Sequence, residues 1–105
     1  MVNYTELTDE TYKDFVSEGV VLVDVFTIWC VPCRTISPII DEISSDYFGR
    51  IKVGKLDADK NPDTVVDLLV RNIPTILIYK DGEIVERKVG AIQKRQLTDL
   101  IDQYL

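Results

Sequence analysis

Apolar residues along the chain fall into two patterns, short continuous runs of strand length and longer segments with helical spacing. Val20 to Phe26 is a β-branched run broken only by Asp24, and a run apolar at both parities predicts a central strand covered on both faces. Ile51 to Leu56 and Thr75 to Lys80 predict two more strands. Asp81-Gly82 then reads as a tight turn into a fourth strand, Ile84 to Val89, antiparallel to the third. Asn3 to Glu6 leaves room for a short extra strand. Helical stripes lie between the runs. Tyr12, Phe15 and Val16 follow a start at Thr8-Asp9-Glu10 and stop before Gly19. Ile36, Ile39, Ile40, Ile43 and Tyr47 form a second stripe ending near Gly49, with Pro38 expected to kink it. Asn61-Pro62-Asp63 supplies a cap, a first-turn proline and an early acid for a third helix, whose buried face should be Val65, Val66, Leu68 and Leu69. Beyond Gly90 a fourth helix carries Leu97, Leu100, Ile101, Tyr104 and Leu105, with Gln93 as a weak cap.

Strands that alternate with helices predict parallel pairing and helices on both faces, and the hairpin adds an antiparallel edge. The expected fold is α/β, a single mixed sheet in one domain spanning residues 1–105. Composition agrees: 46% hydrophobic and 29% charged residues are the balance of a folded chain. Eighteen acidic against 12 basic side chains give a net charge of −6 with no basic run, which argues against nucleic acid and against anionic membrane surfaces. No apolar stretch is long enough to cross a bilayer. Met1 to Glu6 lacks the basic and apolar regions of a secretory signal, so a cytoplasmic location is expected. Histidine is absent, which removes Ser-His-Asp and Cys-His nucleophile pairs and any imidazole metal site.

The chemistry concentrates in Trp29-Cys30-Val31-Pro32-Cys33, which holds the chain's two cysteines. A bridge across so short a loop constrains the unfolded chain little, so stability explains it poorly. A structural metal needs about four ligands, and two thiols would have to recruit carboxylates or a second chain. A redox-active dithiol fits better. The pair lies where the central strand passes into the second helix, and the unpaired N–H groups and positive dipole end found there favour the thiolate that disulfide exchange requires. Residues i and i+3 of a first helical turn face each other. Cys30 is therefore read as the attacking thiol, and Cys33 as the thiol that resolves the mixed disulfide. Pro32 suits the helix start and fixes the backbone between them. The two thiols carry the electrons, so no bound cofactor is expected. Asp24, an acid inside an apolar strand, should have a raised pKa suited to proton transfer, the plain alternative being a strand-end carboxylate in water.

With these residues the chain resembles the thioredoxin family from about Val20 to the C-terminus. The likeness is carried by Val23-Asp24, Trp29-Cys30-Val31-Pro32-Cys33-Arg34, Pro38, Lys55-Leu56-Asp57, Ile73-Pro74-Thr75, Lys80-Asp81-Gly82 and Val89-Gly90-Ala91, in that order. The resemblance implies a thiol–disulfide oxidoreductase that reduces disulfide-bearing proteins, is re-reduced by a thioredoxin reductase, and works as a monomer. It implies a cis peptide at Ile73-Pro74, with Pro74 beside the dithiol and the backbone before it pairing with substrate as a strand. Trp29, Val31, Pro32, Ile73, Gly90 and Ala91 would frame an apolar surface around Cys30. Asp24 would take the proton from Cys33, and Lys55 would lie nearby and modulate it, unless it is an ordinary exposed strand lysine.

The chain departs from the family pattern at several places. Val31 stands where glycine is usual and Arg34 where lysine is. Phe26 replaces a common tryptophan, Thr27-Ile28 a more polar pair, and Asn72 a common glycine. Val31 stiffens the turn, and with Ile28 it enlarges the apolar rim. Two rival readings remain at this level. One is an oxidase or isomerase built from the same residues, and the other a chaperone-like binding module whose rim docks a partner while its redox state is incidental.

Overall fold

The structure is a computed structural model describing residues 2–105. Its elements run β1 (Tyr4–Leu7), α1 (Tyr12–Phe15), β2 (Val20–Phe26), α2 (Val31–Asp46), β3 (Lys52–Asp57), α3 (Pro62–Asp67), β4 (Thr75–Lys80), β5 (Glu83–Val89) and α4 (Lys94–Tyr104). The strands form one mixed sheet in the order β1-β3-β2-β4-β5. The apolar run at 20–26 is the central strand, with its first six residues buried. It pairs in parallel with β3, where Asp24 lies opposite Lys55, and antiparallel with β4, where Asp24 lies opposite Ile76.

Because strand side chains alternate between faces, β2 feeds two cores. Val20 and Leu22 face α2 and α4, packing with Ile36, Ile40, Ile43, Val53, Ile76, Ile78, Leu97 and Ile101. Val21, Val23 and Val25 face the other way, onto Leu7, Tyr12, Val16, Leu56, Leu77 and Tyr79, with Phe15, Val65 and Leu68 at the margin. Gly54 of β3 has no side chain because Leu7 and Phe15 occupy the space. A Cβ there would come 2.6 Å from the Leu7 Cδ1 and 2.9 Å from the Phe15 ring.

Several expectations are corrected. Strand β4 follows a helix yet runs antiparallel to β2. The six residues of α3 span about 9 Å, less than half the roughly 20 Å of a six-residue strand. The chain therefore does not return along the sheet, and it enters β4 at the end where it left β3. Helix α1 starts at Tyr12, several residues after Thr8-Asp9-Glu10, and the segment before it is a turn tied by Thr8 and Thr11 hydroxyls. Asp9 instead serves α3: its Oδ1 accepts from the Thr64 N–H and hydroxyl at 2.9 and 2.6 Å. Asn61, the expected cap of α3, turns its own Oδ1 to the Asp9 N–H at 3.0 Å. Of the predicted apolar face of α3, Val65 and Leu68 pack inward, whereas Val66 on the helix is exposed, and so is Leu69, which lies beyond the helix end at Asp67 with φ 55°. Leu105 lies past the last turn of α4 and is exposed. The expected extra strand is β1, shifted by one residue to Tyr4–Leu7. Gln93 does more than a weak cap, since its N–H donates to Gln96 Oε1 at 3.0 Å across the first turn of α4.

Candidate active site

Strand β2 and helix α2 are joined by four residues, 27–30, and this junction places the cysteines. Cys30 is the N-cap of α2 and has extended backbone. Val31 and Pro32 take the first two helical positions, where a missing N–H costs nothing. Cys33 follows one turn on, its Cα 5.3 Å from that of Cys30, and the two sulfurs are bonded as a disulfide. The cysteines are equally covered, each 4% exposed, so accessibility does not tell them apart. Hydrogen bonding does: the Cys30 Sγ, at the cap, accepts from the Cys33 N–H at 3.2 Å. An orphan amide of the first helical turn is thus aimed at Cys30, where it and the helix dipole would stabilise negative charge.

An apolar rim surrounds the pair. Ile28, Trp29 and Val31 are 70, 65 and 66% exposed, unusual for side chains of their size next to a polar reactive group. Two contacts that sequence reasoning missed hold this rim. The Trp29 indole N–H donates to Asp59 Oδ2 at 2.8 Å, and Arg34 Nη2 donates to the Ile28 carbonyl at 3.0 Å. Asp59 belongs to the turn after β3 and has no spacing relation to the cysteines, so only the fold brings it there.

Ile73-Pro74 is a cis peptide at the entrance to β4, at the same end of the sheet as the junction, since Thr75 pairs with Val25 of β2. Pro74 is buried and Ile73 half-buried. Gly90 N–H donates to the Pro74 carbonyl at 2.9 Å, bringing Gly90-Ala91 alongside. Among the described residues the backbone N–H and carbonyl of Ile73 have no hydrogen-bond partner.

Asp24 and Lys55 are both buried, 1% and 8% exposed, so neither is the solvent-facing side chain of the plain alternatives. Asp24 Oδ1 has no hydrogen-bond partner among the described residues, and neither does the hydroxyl of Thr27. Burial pushes the Asp24 carboxyl up to about 7, with the Lys55 charge pulling it down and the Asp41 charge pushing it up. Lys55 gives its ammonium not to Asp24 but to two residues of α2, Asp41 Oδ1 at 2.8 Å and Ser37 Oγ at 2.9 Å. It also lies 4.2 Å from the centre of the Tyr4 ring. A cavity of about 270 Å³ runs through this region, and Asp24, Cys33, Ser37 and Lys55 share its wall. Water entering it could carry a proton between Cys33 and Asp24. Among the described residues no cluster of His, Cys, Asp and Glu is suited to a metal ion, and no helix is long and apolar enough to cross a membrane.

Comparison with known proteins points the same way. The family model described as Thioredoxin matches residues 3–103. A thioredoxin of Buchnera aphidicola is 45% identical over 100 residues, covering 93% of each chain. A thioredoxin of Synechocystis sp. is 43% identical over 102 residues, covering 95% of each. One of Staphylococcus saprophyticus is 40% identical over 100 residues, covering 95% of this chain and 96% of its own.

Proposed function

The chain belongs to the thioredoxin family as a thiol–disulfide oxidoreductase acting through the Cys30–Cys33 pair, and from that premise we propose that Cys30 attacks, Cys33 resolves and Asp24 takes the proton that resolution releases. The observation that carries this division is the amide of Cys33 directed at the Cys30 sulfur from the N-terminus of α2. In the reduced protein the Cys30 thiolate attacks one sulfur of a substrate disulfide. That bond breaks, the other substrate sulfur leaves as a thiolate, and Cys30 is held in a mixed disulfide. Cys33 then loses its proton through the shared cavity to Asp24, attacks Cys30 Sγ and releases the second substrate thiol. Two electrons pass to the substrate, and the Cys30–Cys33 disulfide is left behind. A carboxyl titrating at about 7 is matched to this task, able to accept a proton near neutral pH and to give it up again.

The substrate is a disulfide-bearing protein segment that lies across the apolar rim of Trp29, Val31 and Pro32 and pairs with the free backbone of Ile73, beside Pro74, Gly90 and Ala91. The oxidised protein is returned to the dithiol by a thioredoxin reductase. One cytoplasmic domain, a monomer spanning the chain and carrying no bound cofactor, suffices for the cycle. Lys55 contributes as a charge near Asp24. Insulin reduction by dithiothreitol provides the test. The wild-type protein should accelerate it strongly and Cys30→Ser should not; an equal rate with and without wild-type protein would favour the binding-module reading, in which the redox state is incidental.

A further inference from the structure

We propose that Asp41 and Ser37 are positioning residues that clamp the Lys55 ammonium onto α2 and so keep it off the Asp24 carboxyl. The inference rests on the reading of Asp24 as proton acceptor, and it adds to that reading the device by which the carboxyl stays unpaired. Asp24 and Lys55 are direct cross-strand neighbours on the face that α2 covers. A buried lysine next to a buried aspartate would ordinarily form an ion pair with it. Here the ammonium is held elsewhere, 2.8 Å from Asp41 Oδ1, 2.9 Å from Ser37 Oγ and over the Tyr4 ring, while Asp24 Oδ1 has no partner among the described residues.

The geometry of α2 explains the choice. Ser37 and Asp41 are four residues apart, so they stand one above the other on a single helical face and converge on one point. Asp41 is half-buried and remains in reach of water, whereas a charge on Asp24 would sit in nearly complete burial. The ammonium lies on the more exposed of the two carboxyl groups. Other groups around it do not compete. On β1, Glu6 pairs in register with Lys55 but is exposed and forms no ion pair with it among the described residues. On α2, the Arg34 guanidinium is turned to the Ile28 carbonyl and Cys33 is in the disulfide. From β4 the residue opposite Asp24 is Ile76, which carries no charge. Without Asp41 the flexible four-carbon stem of Lys55 would leave the ammonium free to turn to Asp24.

The test is the titration of the Asp24 side-chain carboxyl, read by carbon NMR in the oxidised full-length protein, where the cysteines do not titrate. Asp41→Asn should move the midpoint down by about one pH unit, as expected when a cation comes within reach of a buried aspartate. Ser37→Ala should move it less in the same direction, and Asp41→Glu should restore the wild-type value. In a Lys55→Met background the Asp41→Asn shift should shrink to the smaller part that the Asp41 charge contributes by itself. An unchanged midpoint in Asp41→Asn would overturn the clamp. So would a full shift in the absence of Lys55, since Asp41 would then act through its own charge. This readout is separate from the proton-transfer role. If Asp24→Asn leaves mixed-disulfide resolution untouched while the shifts appear, the role fails and the clamp stands. If Asp24→Asn slows resolution and the shifts are absent, the reverse holds.

Discussion

A carboxyl group that is 1% exposed has lost nearly all its water and has gained no protein donor at Oδ1, so its proton is held well above the usual carboxylate range. For Asp24 this has a consequence for stability. The unfolded chain loses this proton near pH 4 and the folded one near pH 7, so between those values the native state binds a proton that the unfolded state has released. Stability from this group is fully present below pH 4, falls as pH rises, and is gone above about 7. Asp24→Asn removes the penalty. Denaturant unfolding should find the variant about 4 kcal/mol more stable than wild type at pH 8 and little different at pH 3.5, because the folded and unfolded midpoints lie about three pH units apart and each is worth about 1.4 kcal/mol. An equal gap at both pH values would show that the gain comes from packing and not from ionisation. Asp24 was legible in the sequence because a single acid interrupted an apolar run. Asp41, Ser37 and Asp59 were not, because each looks like an ordinary polar residue of a helix or turn until the fold brings it to Lys55 or Trp29.

At the scale of elements, periodicity located every long helix and strand but not their ends. The β-branched run of β2, the isoleucine stripe of α2 and the Asp81-Gly82 turn are local signals, and each appears where its pattern lies. Both short helices lie where their patterns predict, but their limits escaped, and for α3 the limit is set by a partner far away in sequence. Asp9 caps α3 and Asn61 binds back to Asp9, an exchange across more than 50 residues that no local capping rule can see. The antiparallel entry of β4 follows from the brevity of α3, whose apolar pattern continues through Leu69 although the helix does not. Gly54 makes a similar point. Nothing local marks it within its strand, yet Leu7 of β1 and Phe15 of α1 close over it. Gly54→Ala should therefore lower unfolding free energy by about 1–3 kcal/mol, the usual range for overpacking a filled core. Thermal or denaturant melts would check this, and an unchanged midpoint would mean that Leu7 and Phe15 move aside freely.

For the molecule as a whole, the sheet gathers at one end what the sequence scatters. The dithiol arrives from the end of β2, the Ile73-Pro74 segment from the start of β4, Gly90-Ala91 from the end of β5, and Asp59 from the turn after β3. Behind them α2 spans the face that holds Asp24 and Lys55, so one helix both presents the cysteines at its N-terminus and fixes the charge beneath them. The chain is acidic overall, with a net charge of −6, whereas the rim at the dithiol is apolar. The division of labour between the two cysteines is the central claim, and trapping tests it most directly. Reduced Cys33→Ser protein, mixed with a disulfide-bearing protein such as insulin, should accumulate a stable mixed disulfide that mass spectrometry places on Cys30, while Cys30→Ser should accumulate little or none. A stable adduct through Cys33 in the Cys30→Ser protein, with none on Cys30 in Cys33→Ser, would contradict it.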